Sequence, residues 1–168
     1  MRLSQSEAES RISSLGMDDM PIIQIQPSPA GLSPDWFIKY KETCRKFMMS
    51  LTDCIDTLAV MNLPQEDFIN LIMGRTMLPN MSIRFRIPLT WGGQIDIDNM
   101  FMCLTFPHSY NMDRFIIGQT GNETLWVPNP AQKIYLPART FGGGDGGNGT
   151  EDRLTENIAA QIAASRDF

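Results

Sequence analysis

From Phe37 onward, Tyr40, Cys44, Phe47, Met48, Leu51, Cys54, Ile55 and Leu58 recur at steps of three and four residues. That period places them on one face of an α-helix, and a stripe so apolar needs a second layer to cover it. The spacing predicts one amphipathic helix of about 25 residues. Ser33 suits its cap, Pro34 its first position and Asp35 the positive end of its dipole. Lys39, Lys41, Arg45 and Lys46 fall on the other face, as a solvated surface or a weak anion-contacting patch. Cys44 and Cys54 lie on the stripe, where thiols act as small apolar groups. Asn62-Leu63-Pro64 breaks this helix and starts a second, through Phe68, Ile69, Leu71, Ile72 and Met73, with Gly74 placed to end it. The two helices are expected to pair as an antiparallel hairpin.

The period then shifts. Residues 82 to 87 alternate apolar and polar, as a half-buried strand does, and Gly92-Gly93 marks a turn. Met100 to Leu104 is apolar throughout, a buried strand or a short helix. Pro107 to Asn111 introduces a further segment, Met112 to Ile117, and 125 to 127 and 133 to 136 look like short strands. At the front, serines and then Pro21, Pro27 and Pro29 predict a flexible arm over 1 to 32, with Ile22 to Ile25 as a short edge strand. Residues 141 to 149 read as a glycine-rich linker, without the Gly-Lys-Ser/Thr ending of a phosphate loop. Residues 150 to 168 read as a last helix, striped by Leu154, Ile158 and Ile162, for docking on this chain or on a partner. The expected fold class is α+β: an N-terminal helical hairpin, a small antiparallel sheet and a C-terminal helix, with 33 to 140 as the globular part.

Composition narrows the chemistry. One histidine, His108, and three cysteines cannot supply a zinc site of the histidine- or cysteine-rich kind. An odd cysteine count argues against a disulfide framework and for reduced thiols inside a cell. A net charge of -5 lacks the basic footprint of an autonomous nucleic-acid binder. No apolar run is long enough to span a membrane, and the polar N-terminus lacks the apolar core of a signal peptide. The expected location is cytoplasmic, or reached through a secretion system that needs no such peptide. No Gly-x-Ser-x-Gly elbow or Gly-x-Gly-x-x-Gly loop occurs. Twelve methionines, many on apolar faces, suit adaptable core packing or a promiscuous apolar groove.

The strongest motif runs from Leu78 to Met100. It holds Ile87-Pro88-Leu89, then Gly92-Gly93, then Asp98-Asn99-Met100, with His108 following. In order and spacing this segment resembles the core of HNH-type nucleases, the ββα-metal fold, and is most similar to the nuclease domains at the C-termini of bacterial polymorphic toxins. The likeness covers residues 78 to 114 and implies a ββα-like unit. It also implies a strand histidine as general base, a neighbouring ligand and a final histidine on a divalent metal, and an asparagine that braces the loop.

Here the base position falls on Phe85 and the neighbouring ligand position on Arg84. Phenylalanine accepts no proton, and arginine is a permanent cation that ligates no metal. Asn99 and His108 are what remains, with Asp96, Asp98 or Asp113 as further oxygen donors in principle. His108 reads otherwise as a satisfied polar residue at a helix start. Arg84 and Arg86 alternate with Phe85 and so share a strand face, open to phosphate, to a partner carboxylate or to solvent. The expected function is a pseudo-nuclease: a scaffold without catalytic, metal-binding or cofactor residues that binds a protein partner, in an effector or toxin-associated setting. Arg84, Phe85, Arg86, Trp91, Asn99 and His108 mark the expected degenerate cleft. Two other readings stand beside it, a metal-dependent nuclease with an unusual base and an assembly subunit of a viral or secretion system.

Overall fold

A computed structural model describes residues 2–28 and 31–136, and the expected linker and C-terminal helix lie outside those residues. The fold is α+β. In chain order it runs α1 (Gln5–Ser14), β1 (Ile22–Ile25), α2 (Trp36–Ser50), a 3-10 turn (Leu51–Cys54), α3 (Ile55–Val60), α4 (Gln65–Ile72), β2 (Met81–Phe85), β3 (Met100–Leu104), α5 (Tyr110–Ile117), β4 (Leu125–Pro128) and β5 (Ile134–Tyr135).

The sheet is more divided than expected. β1 and β4 form an antiparallel pair of their own. The other sheet is mixed, in the order β2-β3-β5, with β2 antiparallel and β5 parallel to β3. All five residues of β3 are buried, which settles its strand character and explains its unbroken apolarity. Met100, Met102 and Leu104 pack on one face with Phe47, Leu51, Leu58 and Leu71 of the helical region 36–72. Phe101 and Cys103 pack on the other with Ile12 of α1 and Met112 and Phe115 of α5. Two cores thus share one strand.

The predicted long helix is interrupted. Ser50 and Thr52 donate their hydroxyls to the carbonyls of Phe47 and Met49, at 2.6 and 3.2 Å. Such bonds compete with the helical ladder, and the chain passes through the 3-10 turn with Cys54 at φ -114° before α3 resumes. The start also shifts. Trp36 is the first helical residue, its N–H reaching the Ser33 carbonyl, while the Ser33 hydroxyl is spent on Asp35 Oδ1 at 2.7 Å. Gly74 ends the following stretch with φ +68°, as its position implied, and packs against Arg45 and Met49 of α2.

The N-terminal segment is no flexible arm. Ser4 and Glu7 close a capping box on α1, a local pattern that favours helix entry. Leu3, Ala8, Ile12, Met17 and Met20 are buried in the second core. The Trp126 indole donates to the Leu3 carbonyl at 3.0 Å, and β1 pairs with β4 from Ile22↔Pro128 to Ile25↔Leu125. Prolines that looked like punctuation of a loose tail instead bound a docked helix and strand.

This docking has a measurable size. Ile12→Ala is expected to destabilise the fold by about 2–4 kcal/mol in urea unfolding. A change within error would mean that α1 contributes no core.

Candidate functional site

The motif pieces that lie apart in sequence meet at Asn99. Its side-chain oxygen accepts from Ile87 N–H at 2.9 Å, and its amide donates to the carbonyls of Ile87 at 3.0 Å and Gln94 at 2.8 Å. Its own carbonyl accepts from Arg86 N–H at 2.8 Å. Asn99 is therefore the loop brace expected of it, tying both ends of the connection between β2 and β3. The two glycines make this closure possible. Gly92 adopts φ +92° to end a 3-10 turn over Leu89–Trp91. Gly93 sits so close to the Ile87 carbonyl that a Cβ would overlap it. Asp96 closes the loop's far side, its carboxylate accepting from Asp98 N–H at 3.2 Å.

β2 then distributes its side chains by the period of two. Ser82 and Arg84 face α5, and Phe85 faces the opposite core, where it packs on Tyr40 at 5.9 Å between centroids. Arg84 Nη1 donates to the Ser109 carbonyl at 3.2 Å, to Ser109 Oγ at 3.0 Å and to Asp113 Oδ1 at 2.7 Å. The guanidinium is thus held in the crevice between the strand and the start of α5. Arg86 shares this face, as alternation required. It lies 5.5 Å from the Phe101 ring and donates to the carbonyls of Pro130 and Gln132 and to Asn129 Oδ1. Burial lowers its pKa, with Asp98 acting in the opposite sense. Arg86 is a structural tie to the 129–132 loop.

His108 lies elsewhere. It sits in the turn Thr105–Ser109 behind the cis Phe106–Pro107 bond and is 6% exposed. Its ring meets Tyr135 of β5 edge-on at 5.4 Å, and Tyr135 Oη donates to Asp19 Oδ1 at 2.9 Å. Nδ1 is buried and lacks a hydrogen-bond partner, so His108 is not the satisfied polar residue of the simpler expectation. Burial holds its pKa below the ordinary value, with Asp19 pulling the other way. Trp91 is half-buried and holds the loop through its backbone, donating to Pro88 O at 2.9 Å and accepting from Ser28 N–H at 3.4 Å.

The six expected residues therefore do not line one cleft. Arg84 faces α5, Phe85 the helical core, Arg86 and Asn99 the connecting loop, and His108 the Tyr135 side. Asp96, Asp98 and Asp113 do not converge with His108, and among the described residues no three His, Cys, Asp or Glu side chains gather as a metal ligand set. Cys103 is fully buried, and burial pushes its thiol up to about 12, which keeps it protonated and unreactive.

What lies open is a groove of about 620 Å³ beside β2. Trp36 and Tyr40 form one wall, Ser109, Asp113 and Ile116 the other, and Arg84 and Phe85 the floor. Residue-by-residue reading missed Ser109 as the partner of Arg84. The signal was there: Ser109 and Asp113 are four apart, the spacing that puts two side chains on one helix face. Trp36 and Tyr40 carried no such signal, since nothing local tells a helix aromatic from its neighbours in the stripe.

Compared with known proteins, the chain finds no counterpart: no family model, no curated protein and no solved structure matches it.

Two consequences are testable. Asn99→Ala removes three side-chain hydrogen bonds from a half-buried loop and is expected to cost about 2 kcal/mol in chemical denaturation. Asn99→Asp rescues little, because it keeps the acceptor for Ile87 N–H and sets an oxygen against two carbonyls. His108 stays neutral in the fold, while the unfolded ring takes a proton near pH 6.5. Its contribution is complete above that pH and is lost as pH falls below it, because the unfolded state then binds the extra proton. Stability is expected to drop between about pH 7 and 5, and His108→Gln is expected to flatten the drop. An unchanged slope in the variant refutes the assignment.

Proposed function

We propose that this protein is a non-catalytic binding module, a pseudo-nuclease in the sense that its scaffold resembles an HNH unit while its chemistry does not. The succession β2, connecting loop, β3 and α5 supports the scaffold, as does the way Asn99 and Gly93 close the loop. The observation that carries the functional half is Arg84. At the position where the resemblance puts a metal ligand stands a permanent cation, already bonded to Ser109 and Asp113.

A guanidinium there disfavours a divalent ion twice over. It occupies the carboxylate that would ligate, and it repels the ion, by about 8 kcal/mol at 4 Å with an effective dielectric near 20. The base position adds nothing, because Phe85 has no lone pair and faces the helical core. The buried His108 ring is turned to Tyr135. What remains is a braced hairpin with an open groove along it, which suits recognition of a protein partner. An effector or toxin-associated setting agrees with the toxin-domain likeness. Among the described residues no helix is long and apolar enough to cross a membrane.

The test combines titration calorimetry with magnesium, zinc and nickel and incubation of the purified protein with plasmid DNA and RNA. No binding heat and no cleavage are expected. Metal-dependent cleavage that disappears in His108→Ala would overturn the proposal.

A further inference from the structure

β2 is an edge strand, and its outward side is chemically unfinished. Arg86 N–H donates to Asn99 O, and the register sets Arg84 against Phe101 and Ser82 against Cys103. Met102, opposite Ile83, turns its N–H to Lys133 O on the β5 side, at 2.7 Å. In an antiparallel ladder the backbone groups alternate in direction. Those of Ser82, Arg84 and Arg86 therefore point to β3, and those of Ile83 and Phe85 point away from it. Among the described residues no strand pairs on that side.

The groove runs along this edge. Beyond the 620 Å³ portion, a second hollow of about 370 Å³ continues past Met77 and Met81, sharing Tyr40, Ser82 and Ile83 with the first. Together they follow the whole of β2, about 17 Å of strand. The walls differ. Trp36, Tyr40 and Ile83 make the α2 side apolar, while the α5 side offers Ser109 and the half-exposed carboxylate of Asp113.

We propose that the outer edge of β2 binds an extended peptide as an added strand, one whose residues alternate apolar with basic. Backbone groups of Ile83 and Phe85 supply the hydrogen bonds, and the two walls read alternate side chains, which is how strand addition gains affinity and specificity. Asp113 then shares its carboxylate between Arg84 and the incoming ammonium or guanidinium, in keeping with a chain of net charge -5. A second copy fits less well. The edge is recessed between α2 and α5, so a single strand can enter where a sheet carrying the same two walls would collide. This deepens the binding-module reading and rests on it. The two fail separately: cleavage of nucleic acid overturns the module whatever the peptide does, and an inert groove in a non-cleaving protein overturns the edge alone.

The probe is a fluorescein-labelled peptide of alternating valine and lysine, titrated against the full chain by anisotropy. Saturable binding is expected, weakened by about tenfold when glutamate replaces lysine. N-methylation of alternate residues tests the ladder without touching the protein. Methyl groups on one set of amides are expected to weaken binding by about tenfold or more, and on the other set to leave it unchanged. Ile83→Pro removes one outward N–H at a position edge strands tolerate, and is expected to weaken binding similarly while circular dichroism stays native. No saturation, or equal binding by both methylated peptides, overturns the proposal. So does a solution mass of twice the chain that falls to one in Ile83→Pro, since the edge would then belong to a second copy.

Discussion

Strand β3 is apolar on both faces, and everything else is arranged to keep water from it. Five consecutive buried residues present two unlike surfaces, Met100, Met102 and Leu104 to one side and Phe101 and Cys103 to the other. Hydrophobic burial of one side recruits α2 to α4. Burial of the other recruits α5, β4 and the N-terminal helix. A chain with α2 to α4 alone would leave Phe101 and Cys103 facing solvent, which is why α1 is drawn in from the far end of the sequence.

The same strand anchors the site. Its entry residue, Asn99, turns a floppy connection into a braced loop by bonding both Ile87 backbone groups. Its partner strand β2 sends Arg84 to the α5 face and Phe85 to the α2 face, so two adjacent residues act in different environments. Arg84 is then fixed by Ser109 and Asp113. A strand in this position has one side finished by β3 and one side open. The groove over the open side follows from where α2 and α5 happen to pass.

Much of this was legible residue by residue. The alternation over 82 to 87, the apolar run of β3, the role of Gly74 and the bracing role of Asn99 all follow from local rules with short reach. The misreadings share a cause. One continuous helix from residue 34 was a reasonable extrapolation of period, yet Ser50 and Thr52 hydroxyls captured backbone carbonyls and broke it. The N-terminal prolines and serines suggested a loose arm, because local composition does not register a core waiting more than a hundred residues away. His108 was placed in the cleft by its spacing, but its ring went to Tyr135, a residue whose nearness depends on β5 pairing parallel with β3.

Residue types and their periods were enough to establish the α+β class, the identity of the central strands and the loss of a base and a metal ligand at Phe85 and Arg84. Those are properties of side chains and of backbone periods, and they hold in any fold. Packing alone decided that α1 completes the second core, that Arg84 pairs with Ser109 and Asp113, and that the outer side of β2 stays open. These depend on which distant segments cover which face of β3, and hydrophobic burial, having no direction of its own, does not write that choice into any local stretch of sequence.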